Sequence, residues 1–187
     1  MYIPLKVNNM NKIKNNKSGP NHAILKGIKA GKSENVLVYM ADDFENIKLI
    51  NKMIKLGSNY DLIVPSRYVK GGVFENAKFF KKLITDTASI VINKILRIPV
   101  MDNTNAFKFF KRKILKRINF VSTIGFTFAL ELTIKSYFEG FRIKEIPCVW
   151  RDLTGRKSNF KVIEWLPSYT LWLFYIMKLH FIRIFFK

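Results

Sequence analysis

Amphipathic segments alternate with short apolar runs along most of this chain of 187 residues. Apolar residues recur at helical spacing in several segments, which predicts helices over 21–30, 47–56, 79–95 and 126–138. Short apolar runs bounded by polar residues predict strands over 35–40, 62–64, 107–110 and 142–150. Pro147 restricts the last strand to a position near a sheet edge. Helices that alternate with strands favour an α/β fold with a parallel sheet and crossover helices.

The two ends of the chain depart from this alternation. Residues 1–18 carry lysines and no acid, and they indicate a mobile basic lead-in, although 3–7 could form a short strand. Residues 161–187 predict an amphipathic aromatic helix. Lys178 interrupts its apolar run too early for a bilayer span, which takes about 20 apolar residues. We therefore expect the helix to lie on a membrane surface; a core helix that covers the sheet is the alternative. The α/β domain between the two ends covers 19–160.

The charge of the chain favours anionic partners. Its 33 Lys and Arg against 13 Asp and Glu give a formal charge of +20, which suits phosphorylated ligands, acidic lipid headgroups or nucleic acid. The lysine excess accompanies abundant Asn and Ile, so compositional drift over solvated surfaces is an equal explanation for much of it. Cys148 is the single cysteine, which excludes an intrachain disulfide or a thiolate metal cluster and fits a reducing compartment.

An acidic cluster of Asp42, Asp43 and Glu45 directly follows the predicted strand 35–40. Ligands of open α/β sheets bind beyond the carboxyl ends of the strands. There, Mg²⁺ or Mn²⁺ would take one or two carboxylates together with phosphate oxygens of a substrate. The alternative is that Asp43 and Glu45 are acids at a helix N-terminus, where the macrodipole favours them.

Several short motifs follow one another in an order typical of one family. They are MADD at 40–43, SRYVKGG at 66–72, DNTNAFK at 102–108 and WRD at 150–152, with further likeness at 19–24, 126–132 and 145–147. Together they resemble the dolichol-phosphate mannosyltransferase-like branch of family-2 glycosyltransferases, over roughly 19–172. The resemblance implies a partial GT-A sheet, which is Rossmann-like.

The resemblance assigns metal binding to the acidic cluster, with one departure. Asp42 matches the second carboxylate of the family's Asp-x-Asp motif, but Met40 stands at the position of the first. Residues i and i+2 of a strand share a face, whereas neighbours diverge. Asp43 or Glu45 could supply the replacement ligand.

The next two motifs match segments that line the family's site. Arg67, Lys70 and the pair Gly71 and Gly72 resemble the acceptor-side loop, where bare backbone and a guanidinium can approach a phosphate. A glycine turn with solvated charges is the alternative.

Asp102, Thr104 and Asn105 match the family's Asp-x-Thr-Asn/Ser-x-Phe segment, and an Asx turn that only shapes this loop competes for Asp102. The candidate catalytic residues are Asp42, Arg67 and Asp102. Glu131 is either a structural acid or a site carboxylate.

Arg151, Arg156, Lys157 and Ser158 resemble the family's cationic loop that closes over the diphosphate. The match departs from the pattern because Arg156 occupies the family's glycine position. A basic mobile loop is the alternative, and it would still bind phosphates.

The resemblance implies inverting transfer of a sugar from a nucleotide sugar to a polyprenyl phosphate, such as dolichyl or undecaprenyl phosphate, at the cytoplasmic face of a membrane. The family's first nucleotide-binding unit has no match before Gly19, so we expect a truncated chain that is inactive or weakly active alone. A gene fragment, a misplaced start codon and half of a split enzyme are the open explanations, and in the last case a protein partner supplies the missing unit. Two alternatives stay open: a non-catalytic membrane-associated partner, and a basic nucleic-acid-binding protein. Nucleic acid is not the expected partner, because the aromatic residues group in helices and are not interleaved with the basic ones.

Overall fold

The computed structural model describes residues 12–17, 19–41, 43–75, 79–95, 97–151 and 162–185. Its strands are β1 (Asn35–Val38), β2 (Leu62–Ser66), β3 (Val73–Glu75), β4 (Lys108–Lys111), β5 (Ile143–Pro147) and β6 (Val149–Arg151). Its α-helices are α1 (Pro20–Ala30), α2 (Leu49–Leu56), α3 (Phe79–Ile90), α4 (Thr127–Phe138) and α5 (Val162–Phe185). A π-helical turn, Val91–Ile95, continues α3, and a 3₁₀ helix, Arg112–Lys116, follows β4.

The main sheet is mixed and has the strand order β1-β4-β2-β5. Strand β4 is antiparallel to both β1 and β2, and β2 is parallel to β5. The prediction of a parallel sheet therefore holds for β1, β2 and β5 and is wrong for β4. The cause lies in the loop before β4: the Asn105 side chain donates to Pro65 O at 3.0 Å, close to the carboxyl end of β2. The chain thus enters β4 at that rim and must run back across the sheet.

Helices cover both faces of this sheet. On one face, Val64 and Phe110 pack with Phe128 of α4 and Trp172 of α5 in the main core. On the other face, α2 covers a smaller cluster made of Met53, Ile63, Phe107, Phe109 and Ile146. Neighbours such as Phe109 and Phe110 point to opposite faces because side chains alternate along a strand. The α/β fold with crossover helices is confirmed.

Strands β3 and β6 form a separate parallel ribbon, with Val73 opposite Val149 and Glu75 opposite Arg151. The sequence predicted no strand between 64 and 107 and a single strand over 142–150, so this ribbon was missed. Cys148 separates β5 from β6. The edge position predicted for the strand that contains Pro147 is confirmed, since β5 ends the strand order of the main sheet.

Helix α5 packs with one face and exposes the other. Trp172 and Ile176 are buried in the main core. The opposite face carries a stripe of exposed apolar side chains, which we call the α5 stripe: Leu171, Phe174, Tyr175, Phe181, Ile182 and Phe185. Across the described residues, no helix combines the length and the apolar character that a membrane span requires.

Candidate functional site at the carboxyl rim of the sheet

The segments that follow β1 and β2 meet at one rim of the sheet. Both strands run in the same direction because each is antiparallel to β4, so their carboxyl ends share an edge. Cys148 connects the parts there: its N–H donates to Ser66 O at 3.0 Å, and its carbonyl accepts from Val73 N at 2.9 Å. Burial raises the pKa of the Cys148 thiol to about 12, and the charges of Asp102, Arg67 and Asp43 also act on it. The predicted site residues on these segments therefore lie in one neighbourhood.

Arg67 and Asp102 form a buried bidentate ion pair. Arg67 Nε donates to Asp102 Oδ2 and Arg67 Nη2 to Asp102 Oδ1, both at 2.7 Å. The Arg67 backbone N–H adds a third bond to Oδ2 at 3.0 Å. Desolvation opposes the charged forms, but the guanidinium outweighs it and holds the pKa of Asp102 below its ordinary value. Both side chains therefore stay charged inside the protein.

The loop that carries Asp102 is itself held by Glu145 of β5. Glu145 Oε1 accepts from the backbone N–H groups of Met101 and Asp102, both at 2.9 Å. Asp102 Oδ1 also accepts from Asn105 N at 3.2 Å. Asp102 therefore binds the backbone of its own loop, three residues ahead, and also orients Arg67. The bond two residues ahead that defines an Asx turn is accepted by Asn105, from Phe107 N.

The rest of the Arg67 guanidinium faces Thr104 and an aromatic ring. Nη2 donates to Thr104 Oγ1 at 3.1 Å, and the Phe74 ring centroid lies 4.6 Å from Cζ, within cation–π range. Among the described residues, no hydrogen bond uses Nη1. The guanidinium is therefore fixed in place and keeps two N–H donors for a ligand.

Asn105 locks the loop and does not point freely into a site. Its Nδ2 donates to Pro65 O, and its Oδ1 accepts from Phe107 N at 3.0 Å. Its predicted role in lining the site is consistent with its position, but its own polar groups are used within the protein.

Lys108 is a site residue for which the sequence suggested no role. Its side chain is fully buried, and its Nζ has no hydrogen-bond partner among the described residues. Burial lowers the pKa of Lys108 to about 8, against the opposing influence of Asp102 and Glu145. A lysine inside the apolar run of β4 was the signal that could have identified it.

The turn after β1 brings Asp43 to the same rim and holds its carboxylate. Asn46 Nδ2 lies 2.8 Å from Asp43 Oδ1 and 2.9 Å from Oδ2. Asn46 is 3% exposed, and its amide also forms two hydrogen bonds with the backbone of Val149 in β6. Asp43 Oδ1 also accepts from Asn46 N at 3.2 Å, in the turn that leads into α2, while the first turn of α2 itself contains no acid.

Glu45 and Arg151 bind each other in this structure. Arg151 Nη1 donates to Glu45 Oε2 and Arg151 Nε to Glu75 Oε2, both at 2.7 Å. All three side chains are substantially exposed. The residue predicted as a metal ligand and the residue predicted for the diphosphate are thus partners of one another, and a ligand would have to compete with these contacts.

The glycine pair turns the chain back toward β3. Gly71 has φ 87°, in the left-handed region, and the backbone of Ser66 and Arg67 lies directly against Gly72. Lys70, next to the pair, is exposed. The close approach at Gly72 is therefore to protein backbone, and the predicted approach to a phosphate stays a prediction.

Four predicted site residues, Asp42, Arg156, Lys157 and Ser158, lie outside the described residues.

Glu131 is fully buried; its carboxylate accepts from Val121 N and Ser122 N, both at 2.8 Å, and pairs with Lys135. These contacts match its structural alternative.

The side chains at the rim that could bind a metal ion suit a hard cation only in part. The described residues contain no group of three His, Cys, Asp or Glu side chains that could hold a metal ion. Mg²⁺, however, usually takes one or two protein carboxylates and completes its shell with phosphate oxygens and water. Asp43 fits this role, because metal-binding carboxylates are themselves held by hydrogen bonds. Glu45 does not fit while it holds Arg151.

Comparisons with known proteins agree with this architecture. The structure is similar to glucosyl-3-phosphoglycerate synthase from Mycobacterium tuberculosis in complex with uridine diphosphate, with a TM-score of 0.59, 11% identity and coverage of 86% of this chain and 55% of that one. The same synthase has been crystallised with Mn²⁺ and UDP-glucose, where the TM-score is 0.53 and the identity 12%, over 87% of this chain and 54% of that one. The chain therefore has the GT-A fold of nucleotide-sugar glycosyltransferases.

The sequence relatives are more specific. The chain is 27% identical to polyprenol monophosphomannose synthase of Mycolicibacterium smegmatis, over 80% of this chain and 62% of the relative. It is 30% identical to dolichol-phosphate mannosyltransferase of Pyrococcus furiosus, over 76% of this chain and 41% of the relative. No protein-family profile matches the chain. It is thus a relative of the polyprenyl-phosphate mannosyltransferases of family 2, which confirms the predicted resemblance, and it spans about half of their length.

Proposed function

We propose that this chain forms the reaction face of a glycosyltransferase that moves a sugar from a nucleotide sugar to a polyprenyl phosphate. The observation that carries the proposal is the fixed position of Arg67. Asp102 holds its guanidinium in a buried bidentate ion pair, and among the described residues its Nη1 has no hydrogen-bond partner and can donate to a ligand. Asp43 stands at the same rim, so the site offers an anion-binding cation beside a cation-binding carboxylate. The names of the relatives support a polyprenyl phosphate acceptor and a sugar such as mannose.

The transfer is an inverting displacement. An oxygen of the acceptor phosphate attacks the anomeric carbon, the bond from that carbon to the diphosphate oxygen breaks, and the nucleoside diphosphate leaves with the bonding electrons. A phosphate monoester has its second pKa near ~6, so the nucleophile arrives ionised and needs no strong base. Arg67 would hold the acceptor phosphate, and its rigid support lowers the cost of arranging charge during the reaction.

A divalent cation fits beside this arrangement. Mg²⁺ or Mn²⁺, when bound, would offset the negative charge on the departing diphosphate. Asp43 would hold the ion, with Asp42 as its predicted companion, and Arg156, Lys157 and Ser158 would contact the diphosphate. Arg151 would join them after exchanging Glu45 or Glu75 for the ligand.

The donor's nucleoside needs a further wall beside β1. Among the described residues, the edge of β1 opposite β4 pairs with no strand. A groove of about 350 Å³ runs there between β1 and α1. We propose that a partner polypeptide pairs its strands with this edge and supplies the nucleoside contacts, because unpaired strand edges readily accept another chain.

Helix α5 would hold the enzyme at its lipid substrate. The α5 stripe presents aromatic and aliphatic side chains to the outside, and the surrounding basic residues suit anionic headgroups. The site would then act at the cytoplasmic face of the membrane as a peripheral protein, where a phosphate on a polyprenyl chain can reach Arg67.

The proposal is tested by measuring transfer of labelled sugar from nucleotide sugars to polyprenyl phosphate, with the purified chain alone and with cell extract added. We expect weak transfer by the chain alone and stimulation by extract. Asp42→Asn should reduce the stimulated rate by roughly a hundredfold, as expected when a main electrostatic contact is lost. An unchanged rate would favour a non-catalytic partner. Robust turnover by the chain alone would exclude the need for a partner polypeptide.

A further inference from the structure

Asn46 has a side chain whose every polar group is used, and it joins two parts of the rim that are distant in sequence. Its Nδ2 donates to Val149 O at 2.6 Å and contacts both oxygens of Asp43, at 2.8 and 2.9 Å. Its Oδ1 accepts from Val149 N at 3.0 Å. A primary amide offers two donors on one atom and an acceptor on the other, and this site uses both.

The chemistry of these contacts requires an amide. Val149 N must face an acceptor, while Val149 O and the Asp43 carboxylate must both face donors. A carboxylate at position 46 would repel Asp43, and an apolar side chain would leave the N–H and C=O of Val149 without the partners that they have here. The hydrogen bonds with Val149 alone would hold β6 in place. The contacts with both carboxylate oxygens of Asp43 are therefore an additional feature.

We propose that Asn46 is a positioning residue for the metal and diphosphate site: it orients the Asp43 carboxylate and ties that orientation to β6. This inference rests on the proposed function, because it gives the Asp43 carboxylate a cation to hold. Strand β6 ends at Arg151, which is itself predicted to contact the diphosphate. Asn46 therefore links the carboxylate on the metal side to the strand that carries Arg151.

A matched control exists elsewhere in the chain. Asn21 is fully buried; its Nδ2 donates to Ser122 O at 2.7 Å, and its Oδ1 accepts from Phe128 N at 2.9 Å. It makes the same kind of two-sided backbone contact as Asn46 but holds no carboxylate. Replacing either asparagine by leucine keeps most of the volume and removes its hydrogen bonds to the backbone, and only Asn46→Leu also removes contacts with a carboxylate.

The test measures Mn²⁺ binding by the full chain in the presence of uridine diphosphate, with free Mn²⁺ read by electron paramagnetic resonance. Loss of a group that orients a metal ligand typically weakens metal affinity about 10- to 100-fold. We expect that range for Asn46→Leu, and a Kd within about twofold of wild type for Asn21→Leu at a similar loss of stability. Asn46→Gln keeps the amide, should fold, and should weaken Mn²⁺ binding because its extra methylene displaces the group.

The outcomes separate this inference from the proposed function. Equal Mn²⁺ affinity in wild type, Asn46→Leu and Asn46→Gln overturns the inference, as does a wild-type chain that binds no Mn²⁺ with uridine diphosphate. If Asn46→Leu does not fold, the result for Asn46→Gln decides. Mn²⁺ binding that depends on Asn46 in a protein that transfers no sugar to polyprenyl phosphate supports the inference and rejects the proposed acceptor.

Discussion

Gly72 lies directly against the backbone of Ser66, so that a Cβ atom on Gly72 would stand 2.6 Å from Ser66 O. The same atom would lie 2.7 Å from the carbonyl carbon of Arg67. These neighbours are main chain at the end of β2 and cannot turn aside as a flexible side chain would. The glycine-bearing loop and the residue that carries the proposed function are therefore packed together without room for a methyl group.

We predict that Gly72→Ala is destabilising and displaces Arg67. Overpacking of this kind costs about 1–3 kcal/mol, and chemical unfolding in urea would measure it. Gly27→Ala is the control, because nothing lies within 4 Å of a Cβ at that position in α1. Alanine there should stabilise the helix by about 0.5–1 kcal/mol. A harmless Gly72→Ala would show that this loop can move away from Arg67.

The ion pair of Arg67 and Asp102 predicts a large cost for Asp102→Asn. Removing one partner of a buried pair leaves an uncompensated charge and typically costs about 3–5 kcal/mol. Glu139→Gln breaks the exposed pair with Arg117 and should cost less than about 1 kcal/mol. Unfolding free energies of the two variants against wild type test the contrast, and similar small losses would mean that water reaches Arg67.

The pH dependence of the same pair has a definite sign. The folded protein holds the pKa of Asp102 below the ordinary value of 3.8, so between the two values the unfolded chain binds more protons and stability rises with pH. The difference in unfolding free energy between wild type and Asp102→Asn should stay constant from about pH 5 to 8 and shrink as the pH falls below about 4. A difference that keeps growing as the pH falls would contradict this assignment.

Periodicity predicted the scaffold well but not the geometry that gathers the site. Strands β1 and β2 and helices α1, α2 and α4 were predicted to within a few residues, because their apolar faces pack on the two core clusters. The direction of β4 was not predictable, since a four-residue strand carries no signal of orientation and the loop before it meets the end of β2 only in the folded chain. Strands β3 and β6 have three residues each and pair with partners far away in the sequence, so no local pattern of residues predicts them.

For the candidate site, the sequence predicted individual residues but not the contacts between them. The motifs that contain Arg67 and Asp102 drew attention to both residues, yet nothing in the sequence shows that their side chains form a bidentate ion pair. Lys108, Asn46 and Glu75 act through contacts between segments far apart in the chain. A single sequence shows such residues only as a charge in an apolar run or as a polar residue in a turn.

Lys108 predicts a second pH dependence, at alkaline pH. Its pKa is about 8 in the folded protein against an ordinary 10.5, so from pH 8 to 10.5 the unfolded chain binds the additional proton and stability rises with pH. Relative to Lys108→Met, the wild-type unfolding free energy should increase by up to ~3 kcal/mol across this interval, because one pKa unit corresponds to about 1.4 kcal/mol. Urea unfolding at pH 7, 8, 9 and 10 measures it. A difference that does not change with pH would mean that Lys108 reaches a partner or water.

The α5 stripe predicts binding to anionic membranes. Phe174 is 60% exposed, and burying such a ring in lipid contributes about 1.5–3 kcal/mol, so Phe174→Glu should weaken binding to anionic liposomes by at least roughly tenfold. Thr170→Glu adds the same charge beside the stripe and should have a much smaller effect. Sedimentation with liposomes, and binding to single-stranded RNA at the same salt concentration, compare the two partners. Tighter binding to RNA, unaffected by Phe174→Glu, would favour the nucleic-acid alternative.

Arg151 predicts opposite effects for two neighbouring substitutions. It is held at 2.7 Å by both Glu45 and Glu75, and these carboxylates compete with a diphosphate for the same guanidinium. Arg151→Gln should therefore weaken binding of uridine diphosphate, by roughly tenfold for one lost charge-assisted contact. Glu75→Gln removes a competitor and should strengthen binding by a few-fold. Isothermal titration calorimetry at low salt measures both, with Glu139→Gln as a control for the change in net charge. If Glu75→Gln weakened binding, the ion pairs of Arg151 with Glu45 and Glu75 would be part of the binding conformation and not contacts that the ligand displaces.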